Sequence, residues 1–274
     1  MPAVLQHPRG GLRQRRVRRP APGLSVVVPA WNEAERICDC VEQLRTRLRR
    51  LRPEIVVVDD GSTDGTAAVC GAWIAAHRGS RVRLLRGPHR GKGAAVYAGA
   101  QATRGAVVAY LDADLDVPVE EVARLYRLRA AASWDVAVGS KRRLAWRHSA
   151  RPPLRTALSI LFGFAVRQLF GLPLRDTQTG VKMFNGRWLR AVAPHARVRG
   201  FLFDVELLAV AAAEGLRLVE VPVTVGMRRP LNRLGVGDVV RCLAELPTVA
   251  PSVRRIRGHL RAARAASALG PARR

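Results

Sequence analysis

The sequence predicts an α/β fold: a mainly parallel sheet with helices on both faces, followed by amphipathic helices towards its C-terminal end. Three observations predict it. Short β-branched runs alternate with longer segments of helical periodicity through the first half. Two of those runs, 54–60 and 105–112, end in acidic residues, at the strand ends where such sheets meet their ligands. The 274 residues are 48% hydrophobic, enough for one large domain or two small ones with a real core.

In order along the chain, LSVVVPA (24–30) reads as the first strand, and 32 to about 49 as a helix that Asn32 can cap. EIVVVDD (54–60) is the second strand, and Thr63 or Asp64 can cap the helix that follows. RVRLLRG (81–87) is the third strand, and GKGAAVYAGAQAT is a loop running into a helix of small residues. GAVVAYLD (105–112) is the fourth strand, Pro118 opens a helix, and WDVAVGS (134–140) is the fifth strand. The stretch 154–172 is apolar on more than one face and reads as a buried or an interfacial helix. It falls short of the roughly 20 apolar residues of a spanning helix. GVKMF is a short strand, DVELLAVAAAEG a helix, and RLVEVPVTV (217–225) a strand. Residues 235–262 form a basic amphipathic helix, broken near Pro247 and Pro251. The expected division is a basic tail (1–22), an α/β domain (23–228) and a basic helical segment with its tail (229–274).

The net charge is +26, and it is uneven. Residues 1–22 carry six Arg and 251–274 carry seven, neither with an acid, and 141–155 carry six basic residues and no acid. Such a balance points to an anionic partner: a phosphorylated substrate, an anionic membrane surface or nucleic acid. For the tails, solvated like-charge blocks explain it equally well. The four cysteines have neither a disulfide framework nor metal spacing and read as reduced packing residues of a cytoplasmic protein. Arg near the start is not followed by an apolar stretch of the kind secretory signals carry.

LDADLDVP (111–118) places Asp112, Asp114 and Asp116 at alternate positions after an apolar run. On an extended chain they would crowd one face, a repulsion that a divalent cation relieves. Hard cations take carboxylate oxygens and commonly share them with substrate phosphates. By itself such a triplet is more often an ordinary acidic loop. Gly91-Lys92-Gly93 at a helix start can meet an anion, although the surrounding spacing is not that of a Walker A loop.

The ordered motifs VVVPAWNEAERI, VVVDDGSTDGT, RGKGAAVYAG, LDADLD, VGSKR, RDTQTGVKMFN and FLFDVELL resemble family 2 glycosyltransferases over about residues 24–225. Within the family the chain is most similar to the dolichyl- and polyprenyl-phosphate hexose synthases, the glucose branch above all. The resemblance implies a GT-A fold, a nucleotide-sugar donor with Mg²⁺ or Mn²⁺, and hexose transfer with inversion to a polyprenyl phosphate. It implies that Pro29, Ala30, Trp31, Asn32 and Glu33 border the nucleotide, with Asp60 on its base or ribose side and Lys92 on its phosphates. Asp112, Ala113 and Asp114 would lie at the diphosphate and metal, with Asp116 a third metal contact. Lys141, Arg155 and Ser159 would hold the acceptor phosphate, and Arg228 or Arg229 the donor phosphates.

The chain departs from the family at several positions. Trp31 replaces the common Tyr, Asp116 replaces the Gln of the mannose branch, and Lys141 replaces an Arg. UDP-glucose is the favoured donor and GDP-mannose the alternative. A non-lipid acceptor remains open, as does a nucleic-acid-binding role, for which no recognition motif speaks. Contact with the inner face of an anionic membrane, without a spanning helix, completes the expectation. Asp204 and Glu206 read as acids favouring a helix dipole, Asp176 as a loop brace, and His89 as solvated.

Overall fold

The computed structural model describes residues 23–141, 153–226 and 236–268. β1 (Leu24–Ala30), β2 (Glu54–Asp60), β3 (Val82–Gly87) and β4 (Val107–Leu111) alternate with α1 (Ile37–Arg47), α2 (Thr66–Ala76) and α3 (Lys92–Ala102). α4 (Val119–Ala132), β5 (Val136–Ser140) and α5 (Pro153–Phe170) follow. The chain continues with β6 (Val181–Asn185), α6 (Gly186–Val192), α7 (Phe203–Ala213) and β7 (Leu218–Pro222), and then α8 (Val236–Glu245) and α9 (Val249–Ala268). The sheet order is β3-β2-β1-β4-β6-β5-β7. All neighbours run parallel except β6, which is antiparallel to both β4 and β5.

Both faces of the sheet are covered, which is why its central strands read as continuous apolar runs. Alternation sends Val27, Val56, Val58, Val108 and Tyr110 to one face, where α3, α6, α7 and α9 pack. Val26, Val28, Ile55, Val57 and Ala109 face α1, α2 and α4 on the other. α9 joins the first layer through Val249, Val253, Ile256 and Leu260.

Several boundaries differ from the sequence expectation. α1 starts at Ile37, and Asn32 does not cap it. Asn32 instead holds φ +53 in the turn after β1. Its Oδ1 accepts from Thr63 N (2.9 Å), while its own N–H donates to Ser62 Oγ (3.0 Å). α2 starts behind Gly65, and neither Thr63 nor Asp64 is its N-cap, although Asp64 Oδ1 accepts from Thr66 N at 3.0 Å. The C-terminal helical run breaks once, at the 3₁₀ turn holding Pro247. Pro251 lies in the first turn of α9, where a missing N–H costs nothing.

α5 has two apolar sides. Phe162 and Val166 enter the core, whereas Ile160, Leu161, Phe164 and Leu169 are exposed. Among the described residues no helix is long and apolar enough to cross a membrane. All four cysteines are free.

Candidate active site

The carboxyl ends of β1, β2 and β4 adjoin one another, because these strands are parallel neighbours at the centre of the sheet. Pro29 and Ala30 close β1, and Trp31 follows, 52% exposed. Its ring stacks on His89 with centroids 4.7 Å apart. His89 is not simply solvated: its Nδ1 lies 2.9 Å from Asp60 Oδ2. Glu33 is buried, its N–H donates to Thr66 Oγ1 at 2.9 Å, and its carbonyl accepts from Arg36 and Ile37 N. Residues 29–33 thus form a tight corner tied to the turn after β2.

Asp60 is buried at the end of β2. Its Oδ1 accepts from Arg90 N and its Oδ2 from Gly91 N, both at 2.8 Å. It therefore shapes the loop leading into α3 and holds His89 under Trp31. Gly91 takes φ +95, and an added Cβ would meet Arg199 O at 2.7 Å, so no other residue fits the entry to α3. One N–H of this helix start is already engaged, Gly93 N donating to Arg199 O at 2.7 Å.

β4 ends at Leu111, and the acidic loop does not stay extended. A turn follows and Leu115 adopts φ +54, so Asp112, Asp114 and Asp116 do not line one face as the alternation predicts. Asp112 is partly exposed, and Lys92 Nζ lies 2.6 Å from its Oδ1. Asp114 is buried, and its Oδ1 accepts from Asp116 N at 3.2 Å. With Ala113, Leu115, Arg36 and Asp39 it lines a cleft of about 280 Å³. The carbonyl of Asp116 accepts from Gly226 N at 2.7 Å, tying the acidic loop to the segment after β7. Among the described residues no three His, Cys, Asp or Glu side chains gather into a ready metal site.

Beneath Lys92 lies a buried polar cluster that the sequence reading missed. Lys182, fully buried on β6, donates to Tyr110 Oη (2.7 Å) and Thr179 O (2.9 Å) and pairs with Asp204 Oδ1 at 3.1 Å. Tyr110 Oη in turn donates to Asp204 Oδ1. Asp204 is thus a buried counter-ion, not merely an acid near a helix start. Burial pushes its carboxyl above the ordinary range, against the pull of Lys182 and Lys92. For Lys182 burial is also the main cause and lowers its pKa, with Asp204 opposing. Burial works against the charge of Lys92 as well, but Asp112 and Asp204 hold its pKa above the usual lysine value.

Glu206 is buried too, accepting from Tyr97 Oη (2.7 Å), the N–H groups of Arg197 and Val198 (3.2 Å each) and Ser252 Oγ. The available sequence signal was Lys182 itself, a charge inside an otherwise apolar strand, which must be paired when buried.

Asp176 braces its loop as expected, accepting from Gln178 N (3.0 Å), Thr179 N (3.1 Å) and Thr179 Oγ1 (2.6 Å). It also accepts from Lys141 N at 3.2 Å, fixing the end of β5 beside the start of β6. Burial opposes its charge, yet Lys141, Thr179 and the loop N–H groups hold its pKa below the ordinary value. Arg155 and Ser159 fall four residues apart within α5, but their side chains lie outside the description. Arg228 and Arg229 lie outside the described residues altogether. The structure therefore brings together Trp31, Asp60 and His89 at one place and Lys92 and Asp112 at another. Of the three residues expected at an acceptor phosphate, only Lys141 has its side chain among those described.

A family model described as glycosyl transferase family 2 matches residues 25–192. Among curated relatives, a dolichyl-phosphate beta-glucosyltransferase of Trichomonas vaginalis is 34% identical over 210 residues, 72% of this chain and 62% of that protein. The dolichyl-phosphate beta-glucosyltransferase of Homo sapiens is 31% identical over 218 residues, 74% of this chain and 67% of that protein. The chain thus spans less than two thirds of the first of these relatives. One similar solved structure is that of glucosyl-3-phosphoglycerate synthase from Mycobacterium tuberculosis with Mn²⁺, UDP-glucose and phosphoglyceric acid. It has a TM-score of 0.60 at 21% identity, covering 83% of this chain and 79% of that one. The shared architecture is the GT-A fold expected from the motifs.

Proposed function

The chain belongs to glycosyl transferase family 2, and from that premise we propose that it transfers a hexose, with inversion, from a nucleotide-sugar to a polyprenyl phosphate at a membrane surface. The observation that carries the reading is that an exposed aromatic corner and, separately, an acidic loop paired with a lysine both stand at the carboxyl ends of three adjacent parallel strands. UDP-glucose is the donor proposed first, in keeping with the relatives named as glucosyltransferases and with the UDP-glucose in the similar structure. GDP-mannose is the alternative.

Trp31, backed by His89, offers a flat surface to the base, with Asp60 holding His89 in place. Asp112 and Asp114 offer hard oxygen donors of the kind Mg²⁺ or Mn²⁺ takes, and the similar structure contains Mn²⁺. With no three-ligand cage among the described residues, they suit an ion shared with the donor diphosphate, with Asp116 next in line. Such an ion would supply charge neutralisation for the departing diphosphate.

A phosphate acceptor is already largely ionised near neutral pH, since its second pKa is about 6, so it attacks without a strong protein base. The protein's task is to align two anions that repel each other. Lys141, held by Asp176, and Arg155 and Ser159 on α5 are proposed for the acceptor phosphate, and Arg228 and Arg229 for the donor phosphates. The exposed Ile160, Leu161 and Phe164 of α5 give the catalytic unit (23–228) an apolar face for lipid. The Arg-rich segment 229–274 suits the anionic inner surface of a cell membrane.

The test incubates the protein with labelled UDP-glucose or GDP-mannose, polyprenyl phosphate and Mg²⁺ or Mn²⁺. A lipid-phosphate hexose from one donor is the expected product. Transfer only to a soluble acceptor replaces the lipid part of the reading, and no transfer from any common donor to any phosphate acceptor ends it.

A further inference from the structure

Lys92 occupies the position a metal ion would contest. Its Nζ stands 2.6 Å from Asp112 Oδ1 and faces the rings of Tyr110 and Phe203, 5.8 and 6.0 Å from their centroids. The acid behind it, Asp204, is already taken by Lys182 and by the Tyr110 hydroxyl. Asp112 is therefore the carboxylate that Lys92 contacts directly. Asp112 is confined in turn: its N–H donates to Gly180 O at 3.2 Å, and a Cβ added at Gly180 would meet its Oδ2 at 2.5 Å. Gly180 thus closes the Oδ2 side of the carboxylate, opposite the ammonium at Oδ1. The backbone of Lys92 is held, because the next residue donates to Arg199 O at 2.7 Å, whereas its side chain ends at the partly exposed Asp112.

A divalent cation arriving alone at Asp112 would have to displace the ammonium and then lie beside it. A cation arriving with a diphosphate brings the anion that satisfies both positive charges.

We propose that Lys92 is a charge-exchange residue, pairing with Asp112 when the donor site is empty and with the donor diphosphate when a metal ion holds Asp112. Metal and nucleotide diphosphate then bind cooperatively, and the coupling is reciprocal. The inference rests on the donor-site reading above and adds an order to it: the metal enters with its nucleotide. It also gives the buried Lys182–Asp204–Tyr110 cluster a task at the site. By occupying Asp204, that cluster denies Lys92 an alternative carboxylate and keeps it available for exchange.

The experiment titrates the protein with Mn²⁺, following free Mn²⁺ by electron paramagnetic resonance, with and without saturating uridine diphosphate. In the unsubstituted protein the nucleotide should tighten Mn²⁺ binding about tenfold or more, within the usual range of such couplings. Lys92→Gln should bind Mn²⁺ several-fold more tightly than the unsubstituted protein when nucleotide is absent, and should lose most of the nucleotide enhancement. Lys92→Arg, which keeps the charge, should retain it. Asp112→Asn approaches from the other side: with Lys92 released, uridine diphosphate should bind several-fold more tightly in the absence of metal, read by calorimetry. Mn²⁺ affinity unchanged in nucleotide-free Lys92→Gln overturns the proposal, as does unchanged metal-free nucleotide affinity in Asp112→Asn. An unsubstituted protein that binds neither Mn²⁺ nor uridine diphosphate overturns the donor-site reading itself, and the exchange with it.

Discussion

The two halves of the sheet satisfy their polar groups in opposite ways. At the turns after β1 and β2, polar side chains meet the backbone of adjoining turns: Asp60 holds Arg90 and Gly91, Asp64 holds Ala34 and Thr66, and Asn32 holds Thr63. On α7 and at its end three acids with buried carboxylates meet side chains from distant elements. Asp204 takes Lys182 and Tyr110, Glu206 takes Tyr97 and Ser252, and Glu214 takes Arg257 and Arg264. Groups on turns near solvent can exchange a partner for a ligand at little cost. Buried pairs cannot, because a lone charge left behind is expensive. On the proposed reading, the turns of the first half would handle the donor and the buried pairs of the second would hold the site still.

The sharpest break in that contrast is Lys182→Met, which strands Asp204. It should destabilise the protein by about 3–5 kcal/mol in urea unfolding. Adding Asp204→Asn should restore part of the loss, whereas additive effects would mean the pair is not a unit. Asp114→Ala tests the other half. Transfer should fall about 100-fold or more, a barrier increase of about 2.7 kcal/mol, with little change in melting temperature. A large loss of stability instead would move Asp114 into the structural group. Trp31→Ala should raise the KM for the nucleotide-sugar about tenfold and leave kcat nearly unchanged, since stacking on a base is worth about 1–3 kcal/mol.

The finest test is the pH dependence of Asp176. Its folded pKa lies below the ordinary 3.8, so the unfolded chain binds the proton more readily. The stability it contributes is present above that value and is lost as pH falls through the folded pKa. Unfolding free energies measured against pH should show a shallower acid limb in Asp176→Asn than in the unsubstituted protein.

The same contrast explains what could be read beforehand. Strands β2 and β4 carry their apolar runs and the acids at their ends within a few residues, so local pattern was enough to mark the strands and to single out Asp60 and Asp112. Pro118 marked the start of α4 because the ring fixes its own backbone. Asn32 was misread as a cap because its partner, Thr63, is 31 residues away and no local rule points to it. Likewise the alternation of Asp112, Asp114 and Asp116 promised an extended face, and the left-handed Leu115 removed it. The antiparallel direction of β6 was equally hidden, since a five-residue strand looks the same in either direction. Asp204 and Glu206 could be placed on a helix, but their partners come from β4, β6, α3 and α9, separations that periodicity does not encode.

The insertion of β6 between β4 and β5 has a consequence for how the protein is made. β4 is apolar along its whole length, and one of its edges stays open until β6 arrives roughly 70 residues later in the chain. At a synthesis rate of about 5–20 residues per second, that edge waits roughly 4–14 seconds for its partner. During that interval the nascent chain presents an unpaired strand of the kind that joins other chains. The lysine that will be buried against Tyr110 arrives with β6, but its counter-ion Asp204 follows only on α7, so the edge closes before the charge can be neutralised.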